Sequence, residues 1–325
     1  MTTITDNAVP VKRRTPDEMI AFVVMAILLA IVPLTGLYPY FVMQALCFAL
    51  FACAFNLLIG YSGLLSFGHA MFLGTAGYVT AHALKVWGVS PEIGIILGVI
   101  GACALSVITG LIAIRRQGIY FAMITLALSQ LLFFIYLQTP FTHGEDGIQG
   151  IPQGRMFGFL DLSNTTTLYY VVLAIFLLAF LLIYRAINSP FGEVLKSIRE
   201  NEQRAISLGY KTDQYKFLAF VLSGSLAGLA GSMKVFVAQN ASLTDVHWTM
   251  SGEVVLMTLV GGLGTVFGPV VGAFVIIAMQ QYLAGFGQWV TVIQGAIFVT
   301  CVLTFRRGIV GELTALRKWL FEKPR

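Results

Sequence analysis

The side chains able to do chemistry in this chain are few, and their spacing limits which chemistry is open to them. Gly60-Tyr61-Ser62-Gly63 matches Gly-x-Ser-Gly, a pattern that in an intramembrane serine hydrolase offers a nucleophile to a histidine base within hydrogen-bond reach. His69 and His82 lie on the segment that follows at once, whereas His143 and His247 fall in loops. The pattern is weak among 33 glycines, so hydrolysis stands only as an alternative to a plain glycine turn. Cys47, Cys53, Cys103 and Cys301 sit inside apolar runs without C-x-x-C spacing, which suits small core hydrophobes rather than a metal or redox site. The sequence contains no Gly-x-x-x-x-Gly-Lys-Ser/Thr phosphate cradle and no Gly-Lys dipeptide. The apolar segments also lack the mid-span acids with which proton- and ion-driven carriers bind their coupling ion; Lys234 and Glu253 lie near segment ends. We expect no catalytic residue, no metal and no cofactor, and any energy for transport must come from another polypeptide.

The elements that hold these residues are membrane spans. The 325 residues are 58% hydrophobic and 11% charged, against about 25% charged in soluble domains. Disorder needs the opposite bias, and a transmembrane barrel would show alternating segments of about ten residues instead of long continuous runs. The expected fold is an all-α polytopic transmembrane bundle. Candidate spans are 19–34, 40–59, 67–84, 93–114, 118–137, 168–184 and 217–233, each near the ~20 residues that cross ~30 Å. The first could be mistaken for a signal peptide, but no small-x-small cleavage site follows it, and it reads as a retained helix.

The uncharged run 254–305 covers 52 residues, about 78 Å if wholly helical, so it must fold back. Orientation follows from Lys and Arg: with the N-terminus in the cytoplasm, all of the 20 except Lys85, Arg155 and Lys234 fall on the inner side, as the positive-inside rule requires. This distribution, and not nucleic-acid binding, accounts for the net charge of +5. The run 254–305 must then cross an odd number of times. Three short helices are expected, with a break at Gly261-Gly262-Leu263-Gly264 and Phe267-Gly268-Pro269. The expectation is about ten spans with both termini cytoplasmic: a tail 1–18, a transmembrane domain 19–305 and a tail 306–325.

A second glycine-rich break, Gly60 to Gly68, lies about 200 positions earlier. Paired glycine-broken segments can flank a translocation site, although two unrelated glycine turns would look the same. Gly224 and Gly228, Gly264 and Gly268, and Gly268 and Gly272 have small-x-x-x-small spacing, a sign of close helix packing in lipid. Trp87, Trp248 and Trp289 fall at span ends, where aromatic anchors belong. The neutral polar residues available to a path are Asn56, Ser62, Ser66, Thr125, Ser129, Gln130 and Gln294, each of which could equally serve an interhelical hydrogen bond.

Between two spans, the loop 188–215 carries apolar residues at helical spacing (Phe191, Val194, Leu195, Ile198, Ala205 and Ile206) with Gly209 as a stop after Leu208. Both a helix lying on lipid and a helix docked in a protein groove fit this pattern. Lipid binders favour basic residues; here Glu193, Glu200 and Glu202 nearly balance Lys196, Arg199 and Arg204, which suits a protein groove better.

Glu200-Asn201-Glu202-Gln203-Arg204-Ala205 with Gly209 resembles the cytoplasmic EAA-type loop of bacterial ABC importer permeases. Leu195 to Glu202, Ala205, Leu208-Gly209-Tyr210, Ser223-Gly224 and Ala227 to Gly231 are similar, more narrowly, to permeases for branched-chain amino acids. So are Tyr61 to Ala70, Gly118 to Met123 and Gly261 to Pro269, closest to the M-type subunit of the two-permease pair. The resemblance implies a multi-pass permease of the bacterial inner membrane, in contact with membrane lipid and without nucleic acid. It further implies a second homologous permease subunit, two cytoplasmic ATPase subunits that bind the ATP, and a periplasmic solute-binding protein. By position it puts Glu200, Arg204, Ala205 and Gly209 in the ATPase-coupling helix, although Gln203 and Arg204 stand where the pattern has other residues. The outer loop 138–167, with Glu145 and Asp146, is the expected docking face for the binding protein. The same machine with another small solute such as urea, or a self-contained channel or ion-coupled carrier, are the alternatives.

Overall fold

A computed structural model describes residues 16–34, 36, 38–287, 289–304 and 308–312. The basic patch Lys12-Arg13-Arg14, most of both tails and the pair Arg306-Arg307, on which part of the orientation argument rests, lie outside the described residues. The described residues up to Tyr38 form one compact unit and those from Pro39 onward another. In the first, α1 (Pro16–Ile31) is apolar along its length from Met19.

The described residues of the second unit form a helical bundle, with four strands of two residues each among them. Among the described residues, five helices are long and apolar enough to cross a membrane: α2 (Pro39–Ser62), α4 (Pro91–Ala113), α5 (Ile119–Gln138), α6 (Thr165–Ile187) and α9 (Thr212–Ala238). The shorter α3 (His69–Lys85) packs against both α4 and α9, which also pack against each other. The apolar stretch is 89% buried in α2 and 72% in α9, but only 28% in α4 and 22% in α5. α2 and α9 are therefore the centre, and α4 and α5 turn most of their apolar surface outward, as lipid-facing helices must. The close approach of α9 to its neighbours comes from small residues: a Cβ at Gly228 would run into Ala102 of α4, and one at Gly231 into the Leu73 carbonyl of α3. This matches the packing role expected of Gly224 and Gly228. At the centre, His69 is fully buried; its Nε2 lies 2.8 Å from Ser223 Oγ, which itself donates to the Ala54 carbonyl at 2.5 Å. One histidine thus ties α2, α3 and α9 together, ringed by Phe55, Phe72 and Phe220.

The run 254–305 folds into α10 (Trp248–Gly261), α11 (Gly268–Leu283) and α12 (Trp289–Thr304), of 14, 16 and 16 residues. They are about 21–24 Å long, short of a ~30 Å hydrocarbon core. The break between α10 and α11 falls at the expected glycines. Two boundaries differ from expectation because a polar residue finds a partner inside. α10 begins at Trp248 rather than Val254, since Glu253 is met by Gln280 Nε2 at 3.1 Å. α9 begins at Thr212 and runs past Met233 to Ala238, carrying Lys216 and Lys234 into partly buried ion pairs with Glu202 and Asp245. Gly264 lies in the break at φ +72°, so Gly264 and Gly268 do not form a helical packing face as their spacing suggested. Gly268 and Gly272 do, both facing backbone atoms at the end of α10.

The loops gather at two ends. One end carries β1 (Ile148–Gln149) paired with β4 (Asn240–Ala241), the hairpin β2 (Arg155–Met156) and β3 (Leu160–Asp161), and Lys85, whose Nζ donates to the Gln149 carbonyl at 2.6 Å. At the other end α6 runs into α7 (Pro190–Glu200) and α8 (Glu202–Ser207).

Candidate coupling and translocation site

The loop read as one amphipathic helix is two. Asn201 has extended backbone (φ −159°, ψ 99°), and its side chain accepts a hydrogen bond from the Arg204 N–H at 3.0 Å, capping α8. Asn is a strong N-cap because its carbonyl satisfies a donor that no helical carbonyl can reach. The elbow folds α8 back so that Ala205 is buried against Val194, Ile198 and Tyr215. Ala205 is thus interior to the elbow, while Glu200, Arg204 and Gly209 are exposed. Gly209 adopts φ +90°, which ends α8 in a conformation that a side chain disfavours.

Three apolar side chains are left outside this element: Ile206 is 48%, Leu208 69% and Tyr210 41% exposed. They stand beside Glu200 and Arg204 at a loop end, the kind of apolar surface with a polar rim that marks a protein contact. The helical spacing had put Ile206 on the buried stripe; it lies outside because the elbow rotates α8 relative to α7.

The same element reaches into the bundle. Glu202 accepts from the buried Lys216 of α9 and from Gln117 Nε2 at 3.1 Å, fixing α8 to the α4–α5 connection. Arg199 Nη1 donates to the Gly60 carbonyl near the end of α2, and the stem of Arg199 passes over Gly63. A cavity of about 240 Å³ opens beside these groups, lined by Ser62, Gly63, Gln117, Arg199, Glu200, Glu202 and others.

The two glycine breaks meet at this place. Asn56 of α2 is buried; its Nδ2 donates to the Thr265 carbonyl at 2.9 Å and its Oδ1 accepts from the Gly264 N–H at 3.0 Å. The first break, 63–68, is held by Thr125 Oγ1, which accepts from the Phe67 N–H at 3.2 Å, and by Ser66 Oγ, which accepts from the Gly68 N–H at 3.3 Å. Asn56, Ser66 and Thr125 from the expected polar pool therefore converge on the breaks. Ser129 Oγ, further along α5, lies 3.5 Å from the Val246 carbonyl. Gln130 and Gln294 are half-buried on α5 and α12 and are not brought to the breaks by any described bond. Ser62 Oγ donates back to the Leu58 carbonyl at 2.6 Å, while His69 is engaged with Ser223. The nucleophile–base pair that hydrolysis requires is not assembled.

At the opposite end, Glu145 and Asp146 are exposed in the turn Gly144–Asp146. Nearby, the β2–β3 hairpin presents Phe157 and Phe159, 62% and 76% exposed. The Ser163 N–H holds the Asp161 carboxyl at the hairpin base below the usual carboxylate range.

Residues 37–302 match a family model described as the branched-chain amino acid transport system / permease component. The high-affinity branched-chain amino acid transport system permease protein LivM of Escherichia coli (strain K12) is 26% identical over 286 residues, covering 78% of this chain and 65% of that protein. A probable branched-chain amino acid transport permease protein LivH of Methanocaldococcus jannaschii is 25% identical, covering 76% and 82%. The autoinducer 2 import system permease protein LsrC of Salmonella paratyphi B is 28% identical, covering 64% and 62%. The chain thus spans somewhat under two thirds of the length of the E. coli relative. No solved structure matches. With the family model covering most of the bundle and both breaks, the chain belongs to the family of branched-chain amino acid transport system permease components.

Proposed function

We propose that this chain is the transmembrane permease subunit of a bacterial ABC importer. With a second, related permease it forms the path by which branched-chain or other hydrophobic amino acids cross the inner membrane. Two separate cytoplasmic ATPase subunits bind the ATP and drive the cycle, and a periplasmic solute-binding protein delivers the cargo. The observation that carries this reading is the exposed apolar surface of Ile206, Leu208 and Tyr210 on an element bonded to the end of α2 beside the glycine breaks and to α9. An ATPase pair biases a bundle only by binding its states differently, and a contact surface rigidly tied to the path is what such a partner needs.

The same reading has α1 and nine helices of the main body crossing the membrane, ten in all, with both termini cytoplasmic. The tails 1–18 and 306–325 and the loop 188–215 then face the cytoplasm, and the loop 138–167 the periplasm. The gathering of Arg115, Arg185, Lys196, Arg199, Arg204, Lys211 and Lys216 at the α7–α8 end supports that orientation. Glu200, Arg204 and Gly209 flank the ATPase contact, with Ala205 shaping the elbow beneath it. Asn56, Ser62, Ser66, Thr125, Ser129, Gln130 and Gln294 supply the neutral polar groups of a path whose apolar walls do not trap a zwitterion. Glu145 and Asp146 meet basic groups of the binding protein, in exposed pairs worth about 0–1 kcal/mol each.

A second reading, the same architecture with another small solute, is supported by the likeness to a permease named for autoinducer 2. Leu208→Asp, measured in cells carrying the full transporter, should lower ATP-dependent uptake of a branched-chain amino acid about tenfold or more, as loss of an interface anchor does. The variant should still insert in the membrane. Uptake unchanged by Leu208→Asp would remove α8 as the contact.

A further inference from the structure

Arg199 joins three parts of the molecule that are far apart in sequence. It belongs to the last turn of α7, its guanidinium donates to the Gly60 carbonyl, and a Cβ at Gly264 in the second break would lie 3.1 Å from Arg199 Nη1 and 3.2 Å from Gly60 O. Gly60 is two residues from the end of α2, where helix carbonyls have no intrahelical donor and carry the negative end of the helix dipole. A charged donor aimed there is a favourable cap. The cavity of about 240 Å³ lies against Arg199 and is lined by the carboxylates Glu200 and Glu202 as well as by Ser62 and Gly63. Glu202 is held meanwhile by Lys216 and Gln117. Arg199 thus donates to a backbone carbonyl while bordering the same open volume as Glu200 and Glu202, an arrangement that offers its guanidinium a second bonding position, as a bistable element requires.

We propose that Arg199 is a positioning residue for the transport cycle: a latch that holds α7 to the end of α2 and keeps the second break closed over it. Movement of α7 transfers its guanidinium from Gly60 to the carboxylates and frees the break. This rests on the proposed function for the source of the movement; the latch itself rests on the contacts of Arg199 alone.

Two measurements test it. In membranes, Val260→Cys, buried at the end of α10, is exposed to a thiol reagent and its labelling read peptide by peptide. Adding Arg199→Ala should speed labelling about tenfold, the loss expected of one charge-assisted hydrogen bond, and Arg199→Lys, which keeps a charged donor, should return it most of the way. In the assembled transporter, Arg199→Ala should lower uptake about tenfold or more while ATP hydrolysis stays within about twofold, again with rescue by lysine. Equal labelling of Val260→Cys with and without Arg199 would overturn the latch whatever drives the cycle. Parallel loss of uptake and hydrolysis, or no loss of either, would overturn its role in coupling. Wild-type transporter that hydrolyses no ATP during uptake, with labelling that still depends on Arg199, would instead remove the ATPase reading and leave the latch standing.

Discussion

The two glycine breaks are alike in sequence and differ in how they are held. The first, 63–68, is buried at Leu64, Ser66 and Gly68, half-buried at Leu65 and Phe67 and exposed at Gly63. Its backbone is secured by hydroxyls from two sides, Thr125 on α5 and its own Ser66, and Ser251 of α10 accepts from the Ala70 N–H at 2.9 Å just beyond it. The second, 262–267, is half-exposed from Leu263 to Phe267. Within itself it relies on Thr265, whose Oγ1 donates to the Gly262 carbonyl at 2.8 Å and accepts from the Gly268 N–H at 3.1 Å, and from outside one amide, Asn56, supplies two bonds. The outside bonds at or just beyond the first break come from two helices, α5 and α10, whereas those to the second come from one amide on α2, so the hold on the second from outside is concentrated in fewer groups. The difference assigns the first break to the fixed floor of the bundle and the second to its movable part.

The largest effect should come from Asn56→Ala. It leaves the Gly264 N–H and the Thr265 carbonyl without their partner, at a cost of about 1–3 kcal/mol in all, since half-exposed groups recover part of the loss from water. Hydrogen exchange across 262–267 should rise strongly and that across 63–68 little. Thr125→Val, close in shape, should have the smaller effect. It removes one acceptor from the Phe67 N–H, about 1 kcal/mol, and exchange across 63–68 should change only near Phe67 because the neighbouring bonds persist. If the two substitutions loosened their breaks equally, the distinction between floor and moving part would fail.

Much of the architecture could be read from the chain because it depends on local properties. Long uncharged runs gave α2, α4, α5, α6 and α9, and the glycines at 261–264 and 268 located the break between α10 and α11. Other features were hidden by distance. Asn56 looked like one neutral polar residue among seven, and nothing near it announces a partner 209 residues away. In sequence Arg199 is only one of three bases that balance the acids of the loop 188–215, with nothing near it to announce Gly60 as its partner. The Asn201 elbow was missed since apolar spacing continues smoothly across it, and the cap that breaks the helix is a side chain–backbone bond that periodicity does not register. Lys234 reads as a basic residue near the outer end of a span, and nothing beside it in sequence announces Asp245, the later loop residue whose carboxylate makes its partial burial possible. Ser62 shows the reverse case, a motif suggestive in sequence whose hydroxyl is occupied by its own helix.

The most direct test of the account is flux of a branched-chain amino acid into proteoliposomes, comparing this chain alone with the chain purified together with its second permease, ATPase subunits and binding protein. The account predicts no flux from the chain alone, with or without ATP, and flux from the assembled transporter only when ATP is hydrolysed. Substrate flux through the chain by itself would contradict it.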